Sequence, residues 1–139
     1  MISEFRGKYF FLSNFYSCTV TYNGVTYSNT EAAFHAQKCP ARCREFSKLN
    51  PSEAKRLGRK VSLRKDWETV KDGIMHDIVK AKFTQNPDLQ KKLLDTGTQE
   101  LVEGTTWHDT YWGIDLNTGE GKNKLGKILM DIRSELSRS

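Results

Sequence analysis

Four short segments of the chain set chemically active side chains among aromatic ones. Gly7 to Tyr16 holds Leu12-Ser13-Asn14-Phe15, and Tyr27 to Lys38 holds Glu31 and Gln37-Lys38. Glu103 to Gly113 holds Asp109 and Trp112-Gly113, and Gly121-x-Asn123-x-x-Gly126 completes the set. An apolar lining with a few placed hydrogen-bonding groups is the composition of a small-molecule pocket. After Thr30, Glu31, His35 and Lys38 fall at i, i+4 and i+7, so one continuous helix would present them on a single face. A carboxylate can move a proton, a lysine of lowered pKa can attack carbon, and Trp112 or Phe15 can stack on a planar heterocycle. Each residue also has a plainer reading. Glu31 can close a capping box, Lys38 can be a solvated helix lysine, Asp109 can cap the turn before Trp112, and the aromatics can be core.

Holding these groups in place requires particular elements. Asn23-Gly24, flanked by Val20/Tyr22 and Val25/Tyr27, predicts a hairpin with strands near 17–22 and 25–28. Ser28-Asn29-Thr30-Glu31 matches a capping box with Ser28 as the cap, so a helix starts there and stops near Pro40. Asn50-Pro51-Ser52-Glu53 opens a short helix that Gly58 ends. Trp67, Val70, Ile74, Met75, Ile78, Val79 and Phe83 follow the 3-4 spacing of an amphipathic core helix, about four turns long. Asn86-Pro87 starts another, buried along Leu89, Leu93 and Leu94, with Gly97 as its C-cap. An extended run follows from Glu100 to Glu103. Leu125, Ile128, Leu129, Ile132 and Leu136 mark a C-terminal helix whose other face carries Lys124, Lys127, Asp131 and Arg133. The expectation is a mainly helical α+β fold with a small antiparallel hairpin, one domain spanning 1–139.

Composition agrees with one globular core. The chain has 139 residues, 37% hydrophobic and 28% charged, with 3 Pro and 10 Gly, which excludes collagen-like, Pro-rich and strongly disordered classes. The longest uncharged stretch, Tyr9 to Thr30, is too rich in Ser, Thr, Asn and Gly to span a bilayer, so no membrane partner is expected. The N-terminus lacks the basic start and apolar run of a secretory signal, and three cysteines cannot pair completely. A cytoplasmic setting with reduced Cys18, Cys39 and Cys43 is expected. A surplus of 22 Lys+Arg over 17 Asp+Glu gives +5, which favours phosphate-bearing ligands.

Three motifs stop short of their chemistry. Gly121 to Lys127 imitates a phosphate-binding loop until Ile128 replaces the hydroxyl residue that would hold magnesium, although a Gly-rich helix entrance still suits an anion. Asp115 to Glu120 begins like a calcium loop, but its Gly comes one place early, which makes it a turn. His35, Cys39 and Cys43 have zinc-like spacing, yet Pro40 interrupts the helix and no fourth ligand is evident. The basic run Arg56, Arg59, Lys60, Arg64, Lys65 reads as a solvated face, or as a track for a nucleic-acid backbone.

Taken together, Leu-Ser-Asn-Phe-Tyr, Tyr27-x3-Glu31-x5-Gln37-Lys38, Met75 with Lys82-Phe83, Leu94-x-Thr96-Gly97, Glu103, Asp109-x-x-Trp112-Gly113 and Gly121-x-Asn123-x-x-Gly126 resemble the NADAR (YbiA-like) family of N-glycosidases. The resemblance covers nearly the whole chain and implies cleavage of the bond between a base-like amine and a phosphorylated ribose. The substrates it implies are ribosylamino-pyrimidine intermediates of riboflavin synthesis and guanine carrying ADP-ribose, the latter free or within an ADP-ribosylated nucleic acid. Breaking a C1′–N bond creates an oxocarbenium-like centre and a base that needs a proton, needs that Glu31, Lys38 and Asp109 can meet without a metal or redox cofactor. Lys38 can also attack C1′ and form a Schiff base with the opened sugar. Arg6, Gly7, Asn14, Phe15, Gln37, Lys82, Trp112, Gly113 and Asn123 are the candidates for binding substrate, with Arg6, Lys82 and Asn123 assigned to phosphate or ribose. The cation surplus favours ADP-ribosyl-guanine, and a non-catalytic ADP-ribose or NAD module is the competing class.

Overall fold

The computed structural model describes residues 1–138 and resolves into two compact units, Asn14–Pro87 and Met1–Ser13 with Asp88–Ser139. In the first unit, β1 (Ser17–Tyr22) and β2 (Val25–Asn29) form an antiparallel hairpin in which Val20 faces Tyr27 and Tyr22 faces Val25. Asn23 and Gly24 both adopt positive φ, the geometry a two-residue hairpin turn demands and the reason Asn-Gly occupies it. β2 runs straight into α1 (Thr30–Ala36). A 3-10 helix, Pro40–Phe46, leads on to α2 (Pro51–Gly58), where the Asn50 side chain and Glu53 complete the capping box the sequence predicts.

α3 (Trp67–Gln85) is the long element of this unit. It buries Trp67, Met75, Ile78, Val79 and Phe83 against β1 and α1. Each such side chain withdrawn from water contributes about 1.5–3 kcal/mol before the entropy of ordering is subtracted. Ala32, Ala33 and Ala36 are fully buried, and their small size lets α1 lie close to α2 and α3.

The second unit contains α4 (Pro87–Asp95) from its second residue on, which buries Leu89 and Leu93, and α5 (Lys124–Ser137), which buries Leu125, Ile128, Leu129 and Ile132. Between them β3 (Gly104–Thr105) and β4 (Ile114–Asp115) pair in parallel. The run predicted as extended at 100–103 is held instead by Ile2, whose N–H reaches Glu100 O at 2.9 Å and whose carbonyl accepts from Val102 at 2.8 Å; the strand proper begins at Gly104. The fold class is therefore the expected mainly helical α+β. No helix among the described residues is long and apolar enough to cross a membrane.

Candidate active site

The chemistry-bearing face of the first unit is built on α1. Asn29 starts the helix by accepting the Ala32 N–H at 2.7 Å, and its amide also reaches Leu49 O at 2.9 Å. This corrects the expected capping box, because Ser28 bonds to Leu49 O and Glu31 is not the returning partner. Glu31 is released from capping, and its Oε1 meets His35 Nε2 at 2.7 Å with both side chains mostly buried. His35 Nδ1 is buried and has no hydrogen-bond partner among the described residues. A proton there would be stranded, so the tautomer assigned is Nε2–H donating to Glu31. Gly58, at the end of α2, lies so close that a Cβ would stand 2.5 Å from His35 Nδ1.

α1 ends at Ala36, not near Pro40, so Lys38 lies in the following turn rather than on the face expected at i+7. The physical reason is local. Gln37 and Lys38 give their N–H groups to Phe34 O and His35 O, tightening the helix end into 3-10 geometry. The Lys38 carbonyl then accepts from Arg64 N–H at 2.9 Å. Lys38 remains within electrostatic reach of Glu31, and its Nζ lies 5.9 Å from the Trp67 ring centre. Burial pushes the Lys38 ammonium below the usual lysine range, Glu31 pulls it back up, and Arg59, Lys55 and Lys71 push it further down. A carboxylate fixed by one imidazole beside an amine that sheds its proton more readily than usual can support attack on an electrophilic carbon.

The other candidates of this unit have mixed placements. Asn14 is buried; its side-chain amide donates to Met75 Sδ at 3.5 Å, and its backbone carbonyl accepts the Glu31 backbone N–H at 3.1 Å. Phe15 is 37% exposed, which leaves ring surface for stacking. Gln37 is buried, with its amide on Ala33 O at 3.0 Å and Tyr27 Oη at 3.5 Å. Lys82 is only 1% exposed, with Nζ 5.7 Å from the Tyr16 ring and 5.1 Å from the Phe83 ring.

In the second unit, Asp109 Oδ1 accepts from Tyr111 at 3.0 Å and from Trp112 at 2.9 Å, so this carboxylate closes the turn before Trp112. Trp112 stands edge-on to Tyr111. Gly113 has no room for a side chain, because a Cβ would collide with the Glu103 carbonyl. Asn123 is spent on both ends, taking the Glu103 N–H and donating to Leu101 O, each at 3.0 Å. Arg6 and Gly7 are exposed, and Arg6 precedes the 3-10 helix Gly7–Leu12. The entrance of α5, expected to suit an anion, is already occupied. The N–H groups of Lys122, Asn123, Lys124 and Leu125 go to the carbonyls of Thr110, Gly113, Tyr111 and Trp112. No cluster of three His, Cys, Asp or Glu suited to a metal occurs among the described residues.

The NADAR domain family model matches residues 3–137. The chain belongs to the NADAR domain family. It is 41% identical over 130 residues to the N-glycosidase YbiA of Escherichia coli, covering 90% of this chain and 80% of that one. It is 39% identical over 131 residues to a riboflavin biosynthesis protein of Vibrio vulnificus, 91% of this chain but 35% of that larger protein. The solution structure of Escherichia coli YbiA superposes with a TM-score of 0.85 at 35% identity, over 99% of this chain and 88% of that one.

The sequence puts His35 on one face with Glu31 and Lys38, Trp67 in the core stripe and Arg59 in a basic run, but it does not pair His35 with Glu31, set Trp67 beside Lys38, or bring the charges of Lys55 and Arg59 to bear on Lys38. The i, i+4 spacing of Glu31 and His35 was the available signal for the first. The others come from α2 and α3, and no local pattern connects them to α1.

Proposed function

We propose that this chain is an N-glycosidase that hydrolyses the C1′–N bond between a base-like amine and a phosphorylated ribose. The observation that carries the reading is the Glu31–Lys38 pair, a His35-held carboxylate beside a half-buried lysine with lowered pKa. Relatives named N-glycosidases support it. In this mechanism Glu31 stabilises the oxocarbenium-like centre as the C1′–N bond stretches, an electrostatic task that a fixed anion performs without reorganising. The neutral Lys38 amine attacks C1′ as the C1′–N bond breaks, and the proton the new C–N ammonium sheds passes to the departing base nitrogen. The ring C1′–O bond then opens to leave a Schiff base, and water hydrolyses it to free sugar and the Lys38 amine. The half-exposed ring of Phe15 offers the base a stacking face.

Two substrate branches follow. Relatives named for riboflavin biosynthesis favour a ribosylamino-pyrimidine bearing one phosphate. The five surplus positive charges favour ADP-ribosyl-guanine, free or within a nucleic acid. The reading also sets the reaction in the cytoplasm. The test offers both substrates to the full chain in the presence of EDTA, with calorimetry and chromatography run side by side. Release of free base from either substrate, undiminished by EDTA, is expected. Saturable binding of ligand that is recovered intact from both would replace the enzyme with a binding module.

A further inference from the structure

We infer that Trp67 is the positioning residue of Lys38, and that the face of its indole ring, rather than a carboxylate, aims the Lys38 amine. The inference deepens the glycosidase reading and rests on it for the reaction the amine performs. A lysine amine rides on a flexible four-carbon stem, so one that attacks carbon must be held by its surroundings. Among the described residues Lys38 Nζ makes no hydrogen bond and no salt bridge, whereas Arg42, Arg64 and Lys71 are paired with Glu45, Asp66 and Glu68. What the amine does meet is the Trp67 ring. Its centre lies 5.9 Å away, inside the roughly 6 Å over which a cation is drawn to an aromatic face.

The ring itself is fixed. Trp67 opens α3, is buried, and packs on the Phe34 ring with 5.1 Å between centres and a tilt of 52°. Phe34 is also buried and stands edge-on to the His35 ring at 5.5 Å, and His35 holds Glu31. In the backbone, Arg64 gives its N–H to Lys38 O at 2.9 Å and takes the Trp67 N–H on its own carbonyl at 3.2 Å. One residue therefore ties the turn that carries Lys38 to the first turn of α3. Trp67 thus refers the amine to the same close-packed rings that place the Glu31 carboxylate. A carboxylate at hydrogen-bond distance would keep the ammonium charged. A ring face attracts it more weakly and leaves the amine able to shed its proton, as attack on carbon requires.

The experiment compares wild type with Trp67→Phe and Trp67→Leu in the full chain. Phe and Leu leave similar space where the indole stood, so the two variants differ chiefly in the ring face, and a role as core filler alone would affect them alike. Acylation of Lys38 by acetic anhydride is followed across pH by mass spectrometry, which reads the proton on that amine whether or not the protein is an enzyme. Losing the ring face removes a group that favours the ammonium, so the midpoint in Trp67→Leu is expected about half a pH unit below that in Trp67→Phe. Where wild type releases base, kcat is expected to be at least about tenfold lower in Trp67→Leu than in Trp67→Phe, with KM within about threefold. In case the variants fail to fold, tryptophan emission is titrated in wild type and Lys38→Met, and a component that follows the Lys38 proton is expected in wild type and missing from Lys38→Met. Equal midpoints in the two folded variants, equal kcat in them where wild type turns over, or no emission component lost in Lys38→Met overturns the inference. The expected midpoints without base release from wild type leave the Trp67 seat standing and remove the glycosidase reading.

Discussion

Glu31 and Asn29 stand two residues apart and do separable work. Asn29 caps α1 and ties it to Leu49, so Asn29→Ala is expected to cost about 1 kcal/mol or more in urea unfolding. Lys38 carries a charge the fold disfavours, chiefly through burial and then through Arg59, Lys55 and Lys71, with Glu31 opposing. Folded Lys38 thus binds its proton less tightly than unfolded Lys38, and folding is opposed while both forms are protonated. Stability therefore rises with pH between the lowered folded value and the ordinary one. At neutral pH Lys38→Met is expected to raise Tm while abolishing base release; a lower Tm would contradict the burial argument. Asp109 calls for a different test, because its Oδ1 holds the Tyr111 and Trp112 N–H groups. Asp109→Asn keeps that acceptor, so Tm should hold. A rate loss of about a hundredfold would show a proton-transfer role, and an unchanged rate would leave the turn as its whole task.

Between α1 and α2 the decisive contact is Gly58 on His35. Gly58→Ala forces a methyl to within 2.5 Å of Nδ1, so either the ring or the helix must shift. The expected cost is about 1–3 kcal/mol, with a fall in kcat as Glu31 loses its anchor; wild-type kcat in this variant would show that His35 does not position Glu31. How much of this was legible depends on how locally each feature is encoded. α3 announces itself through a spacing sustained from Trp67 to Phe83, the hairpin through Asn23-Gly24, and α2 through Asn50-Pro51 with Glu53. The cap of α1 was misread because Ser28, Asn29 and Thr30 are all competent caps by type, and only the tie from Asn29 to Leu49 decides among them. The end of α1 was misplaced because no Gly or Pro marks Ala36, and the pairing of β3 with β4 is two residues long and leaves no periodicity.

Over the whole chain, the family match runs across both compact units, but the charge surplus lies in Asn14–Pro87, which holds 13 Lys+Arg against 7 Asp+Glu, while the other unit holds 9 against 10. Lys122 and Lys124, in the unit without a surplus, lie over the Tyr111 ring at 5.3 and 5.6 Å. A comparison of kcat/KM for ADP-ribosyl-guanine and for the ribosylamino-pyrimidine monophosphate decides between the branches, because that ratio reports transition-state discrimination. A tenfold preference for the monophosphate, about 1.4 kcal/mol, would assign the surplus to solubility rather than to a second phosphate. The assignment of chemistry to the Glu31–Lys38 pair stands or falls on one rate. Initial base release is measured for wild type and for Glu31→Gln, with unfolding curves confirming that both are folded. Glu31→Gln is expected to retain stability within about 1 kcal/mol and to lose at least about a hundredfold in kcat. A folded Glu31→Gln that releases base at the wild-type rate would contradict the account.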